Sequence, residues 1–448
     1  MRSFFAITFI GLLALSTVAW IVKPVPSEDG RTPLLWVCDE SPVRGEQISL
    51  FNKLNPGFLL KLDPDNVDME KVIVQSLAGV GPDLFCVYDA FGLSAYSKSG
   101  IAWDVTDKLS AMGINIKDEV WPASYPTFIY EDRVYGFPAN VAADGLWYNK
   151  DIFDKLGEPY PQGPMTWDDL IPIARRLTIR DASGRVKHFG LLMNWNWSEF
   201  VIQWGGRLYT GDGTRCVLDS PEAIAAIQFM HDLTFKYHLI PSKSEEDAMS
   251  AQGGWGSGTI TLFGGGKGAM AIGGRWWLCT LRNYKGLRLG ATEAPHGPIR
   301  VFRGYAKGII INRNSPRRDD ALAFLKHMDG SEYNELVNRQ ADALGPVKRY
   351  TYTDEYLHNP EHPEEDYNAV WRDIMNYAVA EQVSPFISGQ VVMRIAGNQM
   401  DLIRNNQKSV AQAMKDLTRK VNMEIEKAVR MDPTLRERYE QLTGRSLR

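Results

Sequence analysis

The sequence is poor in cysteine and in net charge. Only four of its 448 residues are cysteines, none of them in C-x-x-C spacing, and 54 acidic residues nearly balance 50 basic ones. This charge balance indicates neither a nucleic-acid-binding surface nor an acidic tail. The cysteines lie in or near apolar segments, so we expect mostly buried free thiols, and a bridge between Cys38 and Cys86 stays open.

Motifs of nucleotide binding and of hydrolysis are missing. In the glycine-rich stretch around residue 265, Lys267 is followed by Gly268 and Thr261 takes the place of the first glycine, so the phosphate-loop pattern fails. No G-x-S-x-G elbow occurs, and no spacing singles out a pair of carboxylates. We therefore expect no catalytic residue and no cofactor.

A metal site is not expected either. His358 and His362 are four residues apart among several acids, a spacing that could bind a metal on a helix. Pro360 and Pro363 interrupt any helix there, so we interpret the segment as a solvated acidic loop.

Only the N-terminus carries a long apolar run. Arg2 precedes apolar residues 4–22, which end at Lys23 and Pro24. A positive residue before such a run predicts a secretory signal, although about 20 residues also suffice to span a bilayer. We assign residues 1–24 to a signal peptide or an N-terminal membrane anchor and residues 25–33 to a linker. Both interpretations predict a periplasmic or otherwise extracytoplasmic protein, secreted or anchored.

Strand-like and helix-like segments alternate after the linker. Residues 34–38, 58–62 and 83–88 are typical of buried strands, whereas residues 44–54 and 69–78 show helical patterning. This alternation predicts an α/β fold with a mainly parallel sheet. Ligands of such sheets bind beyond the carboxyl ends of the strands, where Asp39, Glu40, Asp89 and Phe91 stand.

Tryptophan is abundant and lies beside polar residues and glycine. Residues 195–199 read W-N-W-S-E, residues 204–206 read W-G-G, and residues 273–277 read G-G-R-W-W. Such aromatic residues commonly pack in a core. The neighbouring asparagines and glycines favour a wet cleft with stacking walls instead.

Six stretches in order resemble the family 1 extracellular solute-binding proteins, the class that contains the maltose-binding protein. The stretches are 81–91, 99–106, 134–153, 164–170, 263–276 and the helix at 410–424. The resemblance implies a periplasmic-binding-protein-like fold of two α/β lobes joined by a hinge with the ligand cleft between them. The first lobe would comprise residues 34–141 plus 293–343 and the second residues 143–290 plus 347–448.

The resemblance also implies a function and partners. We expect a monomeric binding protein, not an enzyme, that captures a carbohydrate by hinged closure and delivers it to ABC importer permease subunits, with no nucleic-acid partner. A membrane-anchored sugar sensor and a carbohydrate-active enzyme stay open as alternatives.

The expected ligand-binding residues come from this resemblance and from the patterns above. They are Asp39, Glu40, Asp89, Phe91, Asn140, Asp144, Trp195, Trp197, Trp204, Gly274, Arg275, Trp276, Tyr305 and Arg394. Ala90, Ala142 and Met393 replace an arginine, a glutamate and a stacking tryptophan of the maltose binder, which argues against maltodextrin. Arg275, Arg303 and Arg394 would suit an acidic sugar, so the choice between a neutral and an acidic sugar stays open.

Overall fold

The computed structural model describes residues 30–249 and 258–446. The expected signal peptide or anchor at residues 1–24 lies outside the described residues, as does most of the linker. None of the helices in the described ranges combines the length and the apolar character that crossing a bilayer requires.

The strands of the described residues are short, and most belong to two sheets. In chain order they are β1 (Thr32–Val37), β2 (Phe58–Asp63), β3 (Leu84–Val87), β4 (Ile129–Tyr130), β5 (Arg133–Val134), β6 (Gly136–Ala142), β7 (Gly145–Asn149), β8 (Ile179–Arg180), β9 (Val186–Met193), β10 (Gly268–Gly273), β11 (Leu289–Glu293), β12 (Phe302–Arg303), β13 (Tyr305–Ile311) and β14 (Ala378–Val379).

Helices cover both sheets. In chain order they are α1 (Arg44–Leu54), α2 (Met69–Leu77), α3 (Ala90–Lys98), α4 (Thr106–Ala111), α5 (Ile116–Glu119), α6 (Lys150–Leu156), α7 (Trp167–Leu177), α8 (Trp197–Gln203), α9 (Pro221–Phe235), α10 (Lys243–Met249), α11 (Thr259–Gly264), α12 (Leu278–Leu281), α13 (Arg318–Asp329), α14 (Ser331–Gln340), α15 (Asp354–Leu357), α16 (Ala369–Ile374), α17 (Gly389–Arg404), α18 (Val410–Met431) and α19 (Pro433–Thr443).

Local sequence explains several helix starts. Thr166 accepts a hydrogen bond from the Asp169 backbone N–H, and the Asp169 side chain accepts one from the Thr166 N–H, which forms a capping box at the start of α7. Ser220 caps α9, whose first residue is Pro221. Asp89 caps α3, so a residue at the end of β3 is fixed by the following helix.

Each sheet lies in one lobe. The first has the strand order β2-β1-β3-β13-β6 and the second has the order β11-β7-β10-β9-β8. The chain passes from the first sheet to the second between Ala142 and Gly145. Beside this crossover, the N–H groups of Val141 and Leu344 each donate to the other residue's carbonyl at 3.0 Å. The cleft lies where these connections join the lobes.

The sheets are mixed, and the prediction of a mainly parallel sheet is wrong. β1 runs parallel to β2 and β3, but β13 is antiparallel to both β3 and β6. In the second sheet β10 is parallel to β9, and β7 is antiparallel to β10 and β11. The reason is the two-lobe path: β6 leads out of the first lobe and β13 leads back into it, so they run in opposite directions.

Two of the four cysteines form a bridge. The pairing of Val37 with Phe85 brings Cys38 and Cys86 opposite each other, with their Cα atoms 5.3 Å apart, and they form a disulfide. The bridge that the sequence left open is therefore present, and Cys216 and Cys279 are buried free thiols, as expected. The disulfide ties the ends of β1 and β3, directly before Asp39 and close to Asp89.

Candidate functional site

A cavity of about 530 Å³ lies between the two sheets. Residues from both lobes and from the crossovers line it: Asp39, Val67, Tyr88, Asp89, Asn140, Ala142, Asp144, Asn194, Asn196, Gly273, Trp276, Trp277, Arg303, Tyr305, Ala306, Lys307, Asp342 and Ala343. Its size is within the range of ligand pockets in proteins. The strand ends β1 and β3 open into it, as expected for an α/β sheet.

The first lobe contributes a charged wall, formed by Asp39, Asp89, Lys307 and Asp342 with Arg44 behind them. The Lys307 ammonium lies 2.9 Å from Asp39 Oδ2 and 3.9 Å from Asp342 Oδ1. The Arg44 guanidinium contacts Asp39 at 3.1 Å and Asp342 at 2.5 Å and is 1% exposed. Burial alone would lower the pKa of Arg44, but the two carboxylates outweigh it and raise that pKa. The charges of Asp39, Asp342, Lys307 and Arg44 are therefore paired before any ligand arrives.

The second lobe contributes an aromatic wall, formed by Trp276, Trp277, Asn194 and Asn196. Trp276 and Trp277 follow β10 in one 3₁₀ turn, with ring centroids 6.3 Å apart at 81°. Asn194 and Asn196 follow β9, which pairs with β10. This wall offers one half-buried indole face and amide groups, the usual partners of sugar rings and hydroxyls.

Asp144 and Tyr305 lie at the crossover and join the two walls. Asp144 Oδ1 accepts a hydrogen bond from the Tyr305 hydroxyl at 2.8 Å, and Oδ2 accepts one from the Asn196 amide at 3.0 Å. Trp276 Nε1 donates to the Tyr305 oxygen at 3.2 Å. Burial raises the pKa of Asp144, an effect that the nearby Arg303 opposes. This chain of bonds fixes the indole against the crossover.

A smaller chamber of about 210 Å³ adjoins the cavity and shares Asp89, Asn196 and Arg303 with it. Phe91, Trp195, Trp197, Ser198, Glu381, Val392, Met393, Ala396 and Gly397 complete its lining. Glu381 Oε1 accepts from Ser198 at 3.1 Å and lies 3.5 Å from the Arg303 guanidinium. Within the described residues Glu381 Oε2 and Arg303 Nε are buried without a hydrogen-bond partner. Burial raises the pKa of Glu381.

A second buried acid lies on α8 close to this chamber. Glu199 is 7% exposed. Burial raises the pKa of its carboxyl to about 8, and the charge of Asp144 adds to the rise, while Arg303 opposes it. At neutral pH Glu199 is therefore largely protonated, in contrast to an exposed glutamate.

The structure brings many of the expected ligand-binding residues to the two chambers. Asp39, Asp89, Asn140, Asp144, Trp276 and Tyr305 line the large cavity, and Phe91, Trp195 and Trp197 line the small one. Gly274 lies beside them, since a Cβ at that position would meet Trp276 and the Tyr305 hydroxyl. The binding role of each of these residues stays a prediction.

Four other expected residues lie elsewhere. Glu40 and Arg394 are exposed and line neither chamber. Trp204 packs between Phe200 and Phe229 with centroids 5.8 and 4.8 Å away.

The fourth, Arg275, points into the core. Its guanidinium donates to Asn368 and to the Ala343 carbonyl, both at 2.9 Å, and lies over the Tyr356 ring. Successive side chains of a 3₁₀ turn point about 120° apart, so a turn that directs Trp276 to the cleft directs Arg275 away from it.

Sequence reasoning missed the basic and acidic centre of the charged wall. Lys307 and Asp342 were not expected at the site, although Lys307 is a single charge within the apolar strand β13. A single lysine in a buried strand requires a carboxylate partner, and this requirement could have indicated that Lys307 belongs to a charged site. Asp342 carries no comparable signal, because its partner Arg44 is 298 residues away.

The acidic segment after residue 358 includes a group that resembles a metal site. His362, Glu364 and Glu365 bring ligand atoms within 4.8 Å of one another. The Glu365 carboxylate, however, already accepts hydrogen bonds from Arg282 at 2.7 and 2.8 Å. Glu365 is also buried, so the prediction of a solvated loop is wrong for this residue.

Residues 39–335 match the model of the family described as bacterial extracellular solute-binding protein. The chain belongs to this family. Membership agrees with the two-lobed fold and implies an extracytoplasmic location for this solute-binding protein.

Relatives and solved structures agree with this assignment. A binding protein of Brucella abortus is 24% identical over 367 residues, which cover 78% of this chain and 84% of the relative. The sn-glycerol-3-phosphate-binding periplasmic protein UgpB of Agrobacterium fabrum is 23% identical over 60% of this chain and 62% of its own length.

Two sugar-bound structures share the fold. An ABC substrate-binding protein from Listeria monocytogenes in complex with cycloalternan has a TM-score of 0.75 at 21% identity, covering 89% of this chain and 98% of that one. The maltose/maltodextrin-binding domain MalE from Bdellovibrio bacteriovorus bound to maltotriose has a TM-score of 0.71 at 18% identity, covering 89% and 100%.

Proposed function

We propose that this solute-binding protein captures a carbohydrate between its lobes and delivers it to an ABC importer. The observation that carries the proposal is the Asp144–Tyr305–Trp276 chain, which presents a half-buried indole next to hydrogen-bonding groups in the interlobe cavity. Sugars combine apolar C–H faces with hydroxyls, and this pairing of a stacking surface with polar groups matches them. Family members deliver their ligands to permeases of ABC importers, and solved structures with the same fold include sugar-bound proteins.

Closure of the lobes is the expected mechanism of capture. The ligand would contact Asp89 and Lys307 of the first lobe and Trp276 and Asn196 of the second at once, which stabilises the closed form. The partly buried carboxylate of Asp89, whose pKa burial raises, would lose an acceptor interaction if a ligand hydroxyl were missing. This makes the position of each hydroxyl a determinant of affinity.

A thermal-shift and calorimetry screen tests the proposal. The purified protein is mixed with glucose, tagatose, maltose, maltotriose, mannobiose and arabino-oligosaccharides, and with amino acids and polyamines as other solute classes. A native-state ligand raises the unfolding midpoint by mass action. We expect a sugar to do so and to be recovered unchanged. A shift caused only by a non-sugar, or consumption of the sugar, would contradict the proposal.

A further inference from the structure

Both cations that line the two chambers in the described part of the chain already have carboxylate partners. Lys307 lies between Asp39 and Asp342, at 2.9 and 3.9 Å, and its side chain is 8% exposed. The Arg303 guanidinium lies 3.5 Å from Glu381. The carboxylates of Glu381 and Asp144 raise the pKa of Arg303 against the effect of burial.

Carboxylates outnumber cations around the ligand space. Five acidic side chains line the chambers: Asp39, Asp89, Asp144, Asp342 and Glu381. Lys307 and Arg303 are the only basic side chains in the same linings. Arg44 adds one more positive charge from behind, but it contacts Asp39 and Asp342 and is itself buried.

This arrangement determines which ligand groups Lys307 and Arg303 can bind. A ligand carboxylate or phosphate would have to compete with Asp39 and Asp342 for Lys307 and with Glu381 for Arg303. It would also meet the unpaired acceptor capacity of Asp89. Like charges that are brought close together in a partly buried site repel each other. A hydroxyl oxygen instead accepts from an ammonium or guanidinium N–H without displacing the carboxylate, because these groups have several donors.

We propose that the site selects an uncharged, hydroxyl-rich ligand and rejects acidic sugars and phosphate esters, and that Asp342 and Glu381 are the specificity-determining residues. Glu381 pairs with Arg303, and Asp342 together with Asp39 pairs with Lys307, so neither cation is left for an anion. The inference rests on the proposed function and resolves the choice, open from the sequence, between a neutral and an acidic sugar. It also separates this chain from its relative that is named for binding sn-glycerol 3-phosphate.

Calorimetry with matched ligand pairs tests the selectivity. The pairs are glucose with glucuronate, galactose with galacturonate, maltotriose and mannobiose with their terminal uronic-acid derivatives, and glycerol with glycerol 3-phosphate; glucosamine serves as a cationic probe. For whichever neutral sugar binds, we expect the acidic partner to bind at least about a hundredfold more weakly. Charge repulsion can produce this difference, because each tenfold change in the dissociation constant requires only a small change in binding free energy.

Two isosteric variants test the residues. Glu381→Gln removes the carboxylate paired with Arg303, and Asp342→Asn removes one of the two carboxylates beside Lys307. We expect the ratio of acidic to neutral dissociation constants to fall at least about tenfold in each variant. The acidic ligand should bind more tightly in the variant, and its binding should weaken with added salt. Glu158→Gln is the control, because it removes a carboxylate from a pair with Arg176 outside both chambers and should leave the ratio unchanged.

The outcomes separate this inference from the proposed function. If no sugar binds, both fail. If a sugar binds but its uronate binds as tightly, or if glucosamine binds more tightly than glucose, the inference fails and the proposed function stands. An unchanged ratio in Glu381→Gln, with a normal melting curve, would overturn the role of Glu381. Asp342 contacts Arg44, so Asp342→Asn could fail to fold; in that case Glu381→Gln still tests the inference.

Discussion

The two walls of the cleft differ in what they present to a ligand: paired charges on one side and an aromatic ring on the other. In the charged wall, Lys307 and Arg44 are paired with Asp39 and Asp342 at distances of 2.5 to 3.9 Å. In the aromatic wall, the Trp276 ring is half-buried and lines the cavity with one polar atom bonded to Tyr305. The comparison indicates a division of roles: the charged wall fixes the shape and charge of the site, and the aromatic wall provides contact area.

The largest expected effect is on the charged wall. Arg44→Met leaves buried Asp342 and partly buried Asp39 with Lys307 as their remaining cationic neighbour. It should lower the free energy of unfolding by about 3–5 kcal/mol, measured by urea denaturation. Arg185→Met is the control, because Arg185 is 85% exposed and its pair with Asp181 should contribute less than about 1 kcal/mol. Equal effects of the two variants would contradict a structural role for the charged wall.

The next largest expected effect is a pH dependence of stability caused by Glu199, which lies close to the chamber lined by Trp195 and Trp197. Its pKa is about 8 in the folded protein against an ordinary value of 4.5. Between these values the folded protein keeps a proton that the unfolded chain releases. The contribution of protonated Glu199 to the free energy of unfolding is therefore fully present below about pH 4.5. It is lost as the pH rises toward 8, by up to about 1.4 kcal/mol per pH unit.

Glu199→Gln removes this titration, so its free energy of unfolding should change less between about pH 5 and pH 8 than that of the parent protein. Exposed Glu355 serves as the control through Glu355→Gln, which should leave the pH profile as it is. Parallel profiles for the parent and Glu199→Gln would contradict a neutral buried Glu199.

A third prediction sharpens the role of the aromatic wall. Trp276→Ala should weaken sugar binding at least about tenfold in calorimetry, because the stacking surface is lost, while the protein stays folded. Trp204→Ala, which removes a tryptophan packed away from the cleft, should lower stability and leave the affinity of the folded protein unchanged. Unchanged affinity in Trp276→Ala would show that the wall provides no ligand contact.

The smallest effect is expected at the rim, where the lobes touch. Arg438 of α19 contacts Glu131 of the first lobe at 2.9 Å, and both side chains are more than 40% exposed. Arg438→Gln should weaken ligand binding by no more than about fivefold, since an exposed pair contributes at most about 1 kcal/mol to closure. The effect should vanish at high salt. Arg430→Gln, whose pair with Glu426 lies within α18, should not change affinity.

Local patterns predicted the first three strands and the first two helices near their observed bounds. The helices at residues 44–54 and 69–78 and the first strands after the linker were expected from the pattern of apolar residues. These features depend on neighbours within about one helical turn or on alternation along a strand, so they are visible in the sequence. The direction of the strands could not be predicted in this way, because the chain passes through the second lobe before β13 pairs with β3.

The sequence by itself determined the alternating elements, the acids at the ends of β1 and β3, the tryptophans near β10 and the family. Only the tertiary structure decided that Lys307 and Asp342 join Asp39, and that Arg275 leaves the cleft which Trp276 enters. The physical reason is distance along the chain: a charge pair across 298 residues leaves no periodicity, and neighbouring residues of one turn point in different directions.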